Sequence, residues 1–104
     1  MPYTHHTTPE QLAALILTLA ASTLDESATL THPLTGHEIP RCMTQGRLDV
    51  TMWTAAGAVD HIPNGRLRDQ ARAAARKALP PVTGTVAEYA DLLRQTAAPF
   101  RLAA

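Results

Sequence analysis

Residues 8–24 read TPEQLAALILTLAASTL, a run that carries both a helix start signal and a helix-long apolar face. Thr8 is placed to cap, and Pro9 has the fixed φ that suits the first helical position. Gln11 completes a Thr-x-x-Gln box that satisfies amides left without partners in the first turn. Leu12, Leu15, Ile16, Leu19 and Ala20 then follow the helical period, while Ala13, Ala14, Leu17 and Ala21 widen the stripe. A helix apolar on most sides belongs at the centre of a core or in an interface. Its end is expected near Leu24, before Asp25-Glu26-Ser27. The apolar run from Leu12 to Ala21, broken only by Thr18, is too short for a bilayer, which takes about 20 residues. It also lacks the Lys or Arg that opens a secretory signal, and Glu10 precedes it.

Outward from this element, residues 1–7 read as an irregular lead-in with His5 and His6 solvated. Residues 25–43 are interrupted by Pro33, Gly36 and Pro40, and Pro33-Leu34-Thr35-Gly36 has turn chemistry. Ala28-Thr29-Leu30 before it and Glu38-Ile39 after it allow a short hairpin, with Pro40 confining the second strand to an edge. An ordered loop packing Leu30, Leu34 and Ile39 onto the helices fits equally well. In 44–60, Leu48, Met52, Ala55, Ala56 and Val59 fit a helical face, yet Leu48, Val50 and Met52 also alternate as in a strand. The pattern outlasts a usual strand, and Ala55-Ala56 favours helix, so helix is expected despite Gly57.

After a turn at 60–65 containing Pro63 and Asn64-Gly65, a basic helix runs to Leu79 and Pro80-Pro81 stops it. Its inner face is Leu67, Ala71, Ala74, Ala75 and Ala78. The last helix starts at Thr85, with Glu88 completing a second capping box. Val86, Tyr89, Leu92, Leu93 and Thr96 or Ala97 define its face. Pro99 is expected to end it, with Phe100 and Leu102 folding back onto the core. The expected fold is therefore mainly α: a compact four-helix single domain over residues 1–104, with helices near 9–24, 44–60, 64–79 and 85–98. A short irregular loop or β-hairpin lies between the first two helices.

The composition agrees with one folded domain. Apolar residues make up 45% of the 104, which argues against disorder. Charged residues are only 17%, against about 25% in an ordinary soluble domain, so part of the surface is expected to be covered by a partner or a second copy. The single Cys42 excludes an internal disulfide and suggests a reducing, cytoplasmic setting. The zero net charge conceals polarity: the first 40 residues contain no Lys or Arg, whereas five of the nine cations lie in the basic helix.

That helix supplies the main functional candidates: Arg66, Arg68, Gln70, Arg72, Arg76 and Lys77. Arg68, Arg72 and Arg76 recur every four residues and repel one another along one edge. Asp69, three residues from Arg66 and from Arg72, offsets part of this. The rest falls to solvent, to Asp25-Glu26 of the same chain, to an acidic protein or to nucleic-acid phosphate. With the preceding helix and turn, the segment 44–79 also has the outline of a helix-turn-helix. Arg66, Arg68, Gln70 and Arg72 stand where a recognition helix would enter the major groove. The link from Asp60 to Gly65 is long for that motif, and a neutral chain is unusual for DNA binding.

Met52 and Trp53 are the apolar candidates. A lone Trp among four aromatics is most often core, and core is the leading expectation. On a helix, however, Trp53 falls off the Leu48/Met52/Ala55/Val59 centre, toward Ala56 and Asp60, where an exposed indole beside Met would anchor a partner. His32, His37, Cys42 and His61 form the only metal-like group. His32-x4-His37-x4-Cys42 matches no standard zinc spacing, so no metal or other cofactor is expected. Cys42, a histidine and Asp60 could be drawn as a thiol nucleophile set, but any chain with five His permits that drawing. The expectation is a small non-catalytic interaction or regulatory protein. It would dock on a protein partner or a second copy through the basic helix and a Met52/Trp53 anchor, with no membrane role. A DNA-binding regulator using residues 44–79 is the alternative.

Overall fold

A computed structural model describes residues 7–102. It has four helices: α1 (Pro9–Asp25), α2 (Gln45–Ala55), α3 (Gly65–Ala78) and α4 (Val86–Leu102). A small hairpin of β1 (Thr29–Thr31) and β2 (Glu38–Pro40) joins the first two. The expected solvation of His5 and His6 falls outside the described residues, and the expected packing of Leu102 concerns a side chain that is not among those described. Among the described residues no helix is long and apolar enough to cross a membrane.

The first capping box forms as read. Thr8 Oγ1 accepts from the Gln11 amide at 3.1 Å, and Gln11 Oε1 accepts from the Thr8 amide at 3.0 Å. Its counterpart opens α4, where Thr85 Oγ1 accepts from the Glu88 amide and Glu88 Oε1 accepts from the Thr85 amide. Thr44 caps α2 through the Arg47 amide, and Asn64 caps α3 through the Leu67 amide. Four helix starts are thus fixed by side chains one turn away, each cap contributing about 1 kcal/mol.

α1 is the hub of the bundle and packs on α2, α3 and α4. Leu12, Ala13, Ala14, Ile16, Leu17, Ala20, Ala21 and Leu24 are buried. Leu15 and Leu19, expected on the central stripe, instead lie on its rim, about 40% exposed. The buried face centres on Ala13, Leu17 and Ala20, because three neighbours enclose α1 from that side. Val86, Tyr89, Ala90, Leu93 and Ala97 of α4 meet it. Ala71 and Ala75 are the buried residues of α3, whose alanine face admits a close neighbour without adding much apolar area. Buried Tyr89 donates from its hydroxyl to the Pro80 carbonyl at 2.6 Å, tying α4 to the Pro80-Pro81 connector.

The helical reading of 44–60 holds to Ala55, after which the chain tightens into a 3-10 turn over Ala56–Val59. Leu48, Thr51, Met52, Ala55 and Val59 are buried, a helical rather than an alternating pattern. At the other end of the chain Pro99 does not stop α4, which continues to Leu102. Proline removes one donor to the carbonyl four residues back but has a helix-compatible φ. Packing of Ala97 and Phe100 on the core keeps the final turn in place.

Of the two readings of 28–42, the hairpin forms. Leu30 pairs opposite Ile39, and Pro40 pairs opposite Thr29, so both β2 and its proline lie at an edge. Gly36, with φ of 72°, supplies the left-handed residue that the turn needs. Every strand residue is exposed, so Leu30, Leu34 and Ile39 do not pack onto the helices as the loop reading required. The base of the hairpin is fastened to α4: the Val86 amide donates to the Arg41 carbonyl and the Met43 amide to the Gly84 carbonyl.

Candidate interaction surface

The outer face of α2 is built by the same rotation that builds its core face. With Leu48, Thr51, Met52 and Ala55 turned inward, Val50, Trp53, Thr54 and Gly57 fall on the opposite side at the spacing i, i+3, i+4, i+7. All four are exposed. Val50 retains 66% of its surface in contact with solvent and Trp53 78%. The leading expectation that Trp53 belongs to the core is therefore corrected: the core places at this level are taken by Met52 and Ala55. Met52, expected to share the surface anchor, is 3% exposed and supports the helix from beneath.

Between this face and α3 runs a groove of about 530 Å³, lined by Trp53, Thr54, Gly57, Asp60, Arg72 and Arg76. The three arginines spaced by four on α3 take different roles along it. Arg68 Nη1 donates to the Ile62 carbonyl at 2.7 Å. Arg72 Nε donates to the Ala56 carbonyl at 3.3 Å, and its Nη2 pairs with the Asp60 carboxylate. These two guanidiniums tie α3 to the 3-10 turn and to the loop that follows it. Arg76 is exposed and makes no ion pair or side-chain hydrogen bond among the described residues.

Arg66, Gln70 and Lys77 are likewise exposed on α3. Asp69, expected to offset Arg66 and Arg72, pairs with neither; Asp60 takes Arg72 instead. The acidic front of the chain does not neutralise the basic helix through Asp25, because Asp25 pairs with Arg94 of α4. That contact, first through its hydrogen bond, holds the Arg94 guanidinium still further toward its charged form. Five of the eight residues singled out from the sequence (Arg66, Gln70, Arg76, Lys77 and Trp53) are thus exposed; Arg68 and Arg72 brace the fold, and Met52 is core.

The other candidate chemistries do not assemble. Among the described residues no group of three His, Cys, Asp or Glu side chains is arranged to hold a metal ion. His32 acts locally, its Nδ1 accepting from the amides of Leu34 and Thr35 and so shaping the hairpin turn. Cys42 and Asp60, drawn together as parts of a thiol site, flank opposite ends of α2 and its 3-10 extension. The sequence reading missed Val50, Thr54 and Gly57 as surface partners of Trp53. The signal was present, since they form a second stripe with the helical period once the core stripe is assigned. No protein-family model matches this chain, and neither a curated protein nor a solved structure is significantly similar to it.

Proposed function

We propose that the protein is a small non-catalytic interaction module that docks on a macromolecular partner or on a second copy of itself. Trp53 is its apolar anchor and the exposed cations of α3 are its orienting charges. The observation that carries this reading is the 78% exposure of Trp53 beside Arg72 and Arg76. An indole left in water forgoes much of its burial energy, and large aromatic side chains with adjacent arginines dominate binding energy at interfaces. Rim cations steer the encounter and set orientation more than they add affinity.

The direct test is photo-crosslinking. A photoreactive side chain in place of Thr54, on the groove wall, should give a discrete adduct in cells, whereas one in place of exposed Ala87 on α4 should not. The mass of the adduct separates a second copy from another partner. No adduct from position 54, or equal labelling from both positions, would remove the reading.

A DNA-binding regulator is the second reading, favoured by exposed Arg66 and Gln70 in the first turns of α3. Against it, Arg68 and Arg72 are bonded back to the chain. It requires duplex binding that is micromolar at about 50 mM salt, collapses at about 200 mM and is lost in Arg66→Glu. Binding at neither salt would exclude it.

A further inference from the structure

We infer that the groove between α2 and α3 receives an acidic segment of a protein partner, with an apolar side chain of that segment against Trp53 and a carboxylate on Arg76. This rests on the reading of the surface as an interaction site and gives the partner a chemistry. The apolar requirement comes from Trp53, which lines the groove with 78% of its surface exposed. The charge requirement comes from the balance within the groove. Arg72 and Asp60 compensate each other, and among the described residues lining the groove Arg76 is left as the uncompensated cation, with Lys77 next to it in sequence.

The same balance decides against the other occupants. Two copies meeting by this groove would present Arg76 to a surface of the same net sign, because the groove's one carboxylate is already engaged by Arg72. A nucleic-acid backbone, with a charge on every phosphate, needs several free cations in a row, while two of the three regularly spaced arginines are turned inward to carbonyls. An acidic segment with a single apolar side chain meets both requirements: its carboxylate replaces water on Arg76, and its apolar group covers the indole.

Three polyanions test this: a random copolymer of glutamate and tyrosine, polyglutamate, and single-stranded oligothymidylate. Each carries a fluorescent label for anisotropy, and unlabelled copolymer is used to follow Trp53 emission with excitation at the red edge, where tyrosine does not absorb. The copolymer should bind and shift the emission to the blue, and polyglutamate should bind at least about tenfold more weakly. Trp53→Ala should weaken the copolymer by about thirtyfold, with Trp53→Phe recovering part of the loss. Arg76→Glu should weaken it by about tenfold, and Arg66→Glu, at the far end of α3, by less than about twofold. All of these positions are exposed, and circular dichroism verifies that each variant is folded.

Equal binding of polyglutamate, or equal losses from Arg66→Glu and Arg76→Glu, would reduce the effect to unspecific attraction and overturn the proposal. Preference for oligothymidylate that depends on Trp53 would overturn the acidic partner while leaving the groove as a docking surface. Failure of all three probes overturns the proposal too, and the adduct from position 54 then decides separately whether the surface docks anything.

Discussion

Arg72 and Arg76 lie one helical turn apart on α3, yet the first reaches the Ala56 carbonyl and Asp60 while the second reaches no partner among the described residues. Their consequences for stability therefore differ. Arg72→Met should cost about 1 kcal/mol in urea unfolding, because it frees a carbonyl and breaks a half-exposed ion pair, whereas Arg76→Met should change stability by less than about 0.5 kcal/mol. Tyr89 is a second residue whose role depends on its surroundings. Burial raises its phenol above the ordinary tyrosine range, since the anion is disfavoured there. Its stabilising contribution is complete below the unfolded-state pKa and is lost as pH rises through the folded-state value. Stability should thus be level through neutral pH with respect to this group and then fall at alkaline pH, as thermal denaturation would record. Tyr89→Phe should cost about 1 kcal/mol at neutral pH by leaving the Pro80 carbonyl unpaired, and should flatten the alkaline fall. Neither role was legible in spacing. The partners of Arg72 lie 12 and 16 residues away and meet it only once the 3-10 turn has formed.

Helices α1 and α4 were legible because their start signals are local: two Thr-x-x-Glu/Gln boxes satisfy amides within one turn. α2 was ambiguous because Leu48, Val50 and Met52 fit either period, and tertiary burial of Thr51 together with exposure of Val50 separates the two. Pro99 reads as a stop because a sequence shows the missing donor but not the packing beyond it. The hairpin turn and the start of α4 give a paired test of backbone geometry. Gly36 and Gly84 both have positive φ, but a Cβ at Gly36 would meet nothing within 4 Å, whereas at Gly84 it would lie 2.6 Å from Glu88 Oε1. That oxygen accepts from the Thr85 amide in the α4 cap. Gly36→Ala should accordingly cost about 1 kcal/mol, and Gly84→Ala about 2 kcal/mol or more, since strain and loss of the cap combine. Equal costs in urea unfolding would show that Glu88 moves aside freely and the cap contributes little.

At the scale of the molecule, the extents are 54 × 24 × 23 Å and the radius of gyration is 15.1 Å, above the roughly 13 Å of a compact domain this size. The hairpin exposes both strands, and α2 exposes its outer face. The overall α architecture could be read from the period of the apolar residues, and the unequal charge distribution from a count. What could not be read was where the charges meet: Asp25 turns to Arg94 and Asp60 to Arg72, leaving Arg66, Arg76 and Lys77 exposed without a carboxylate in contact among the described residues. The off-centre position of Trp53 was likewise visible in the helical period, but its exposure depended on which neighbours α2 acquires. The proposed docking surface depends on that indole, and because it is the only Trp in the chain its fluorescence reports on one place. Emission of the free, folded protein in dilute solution should be that of a water-exposed indole and should be readily quenched by acrylamide. Blue emission protected from acrylamide at every dilution would place Trp53 in the core and contradict the docking surface.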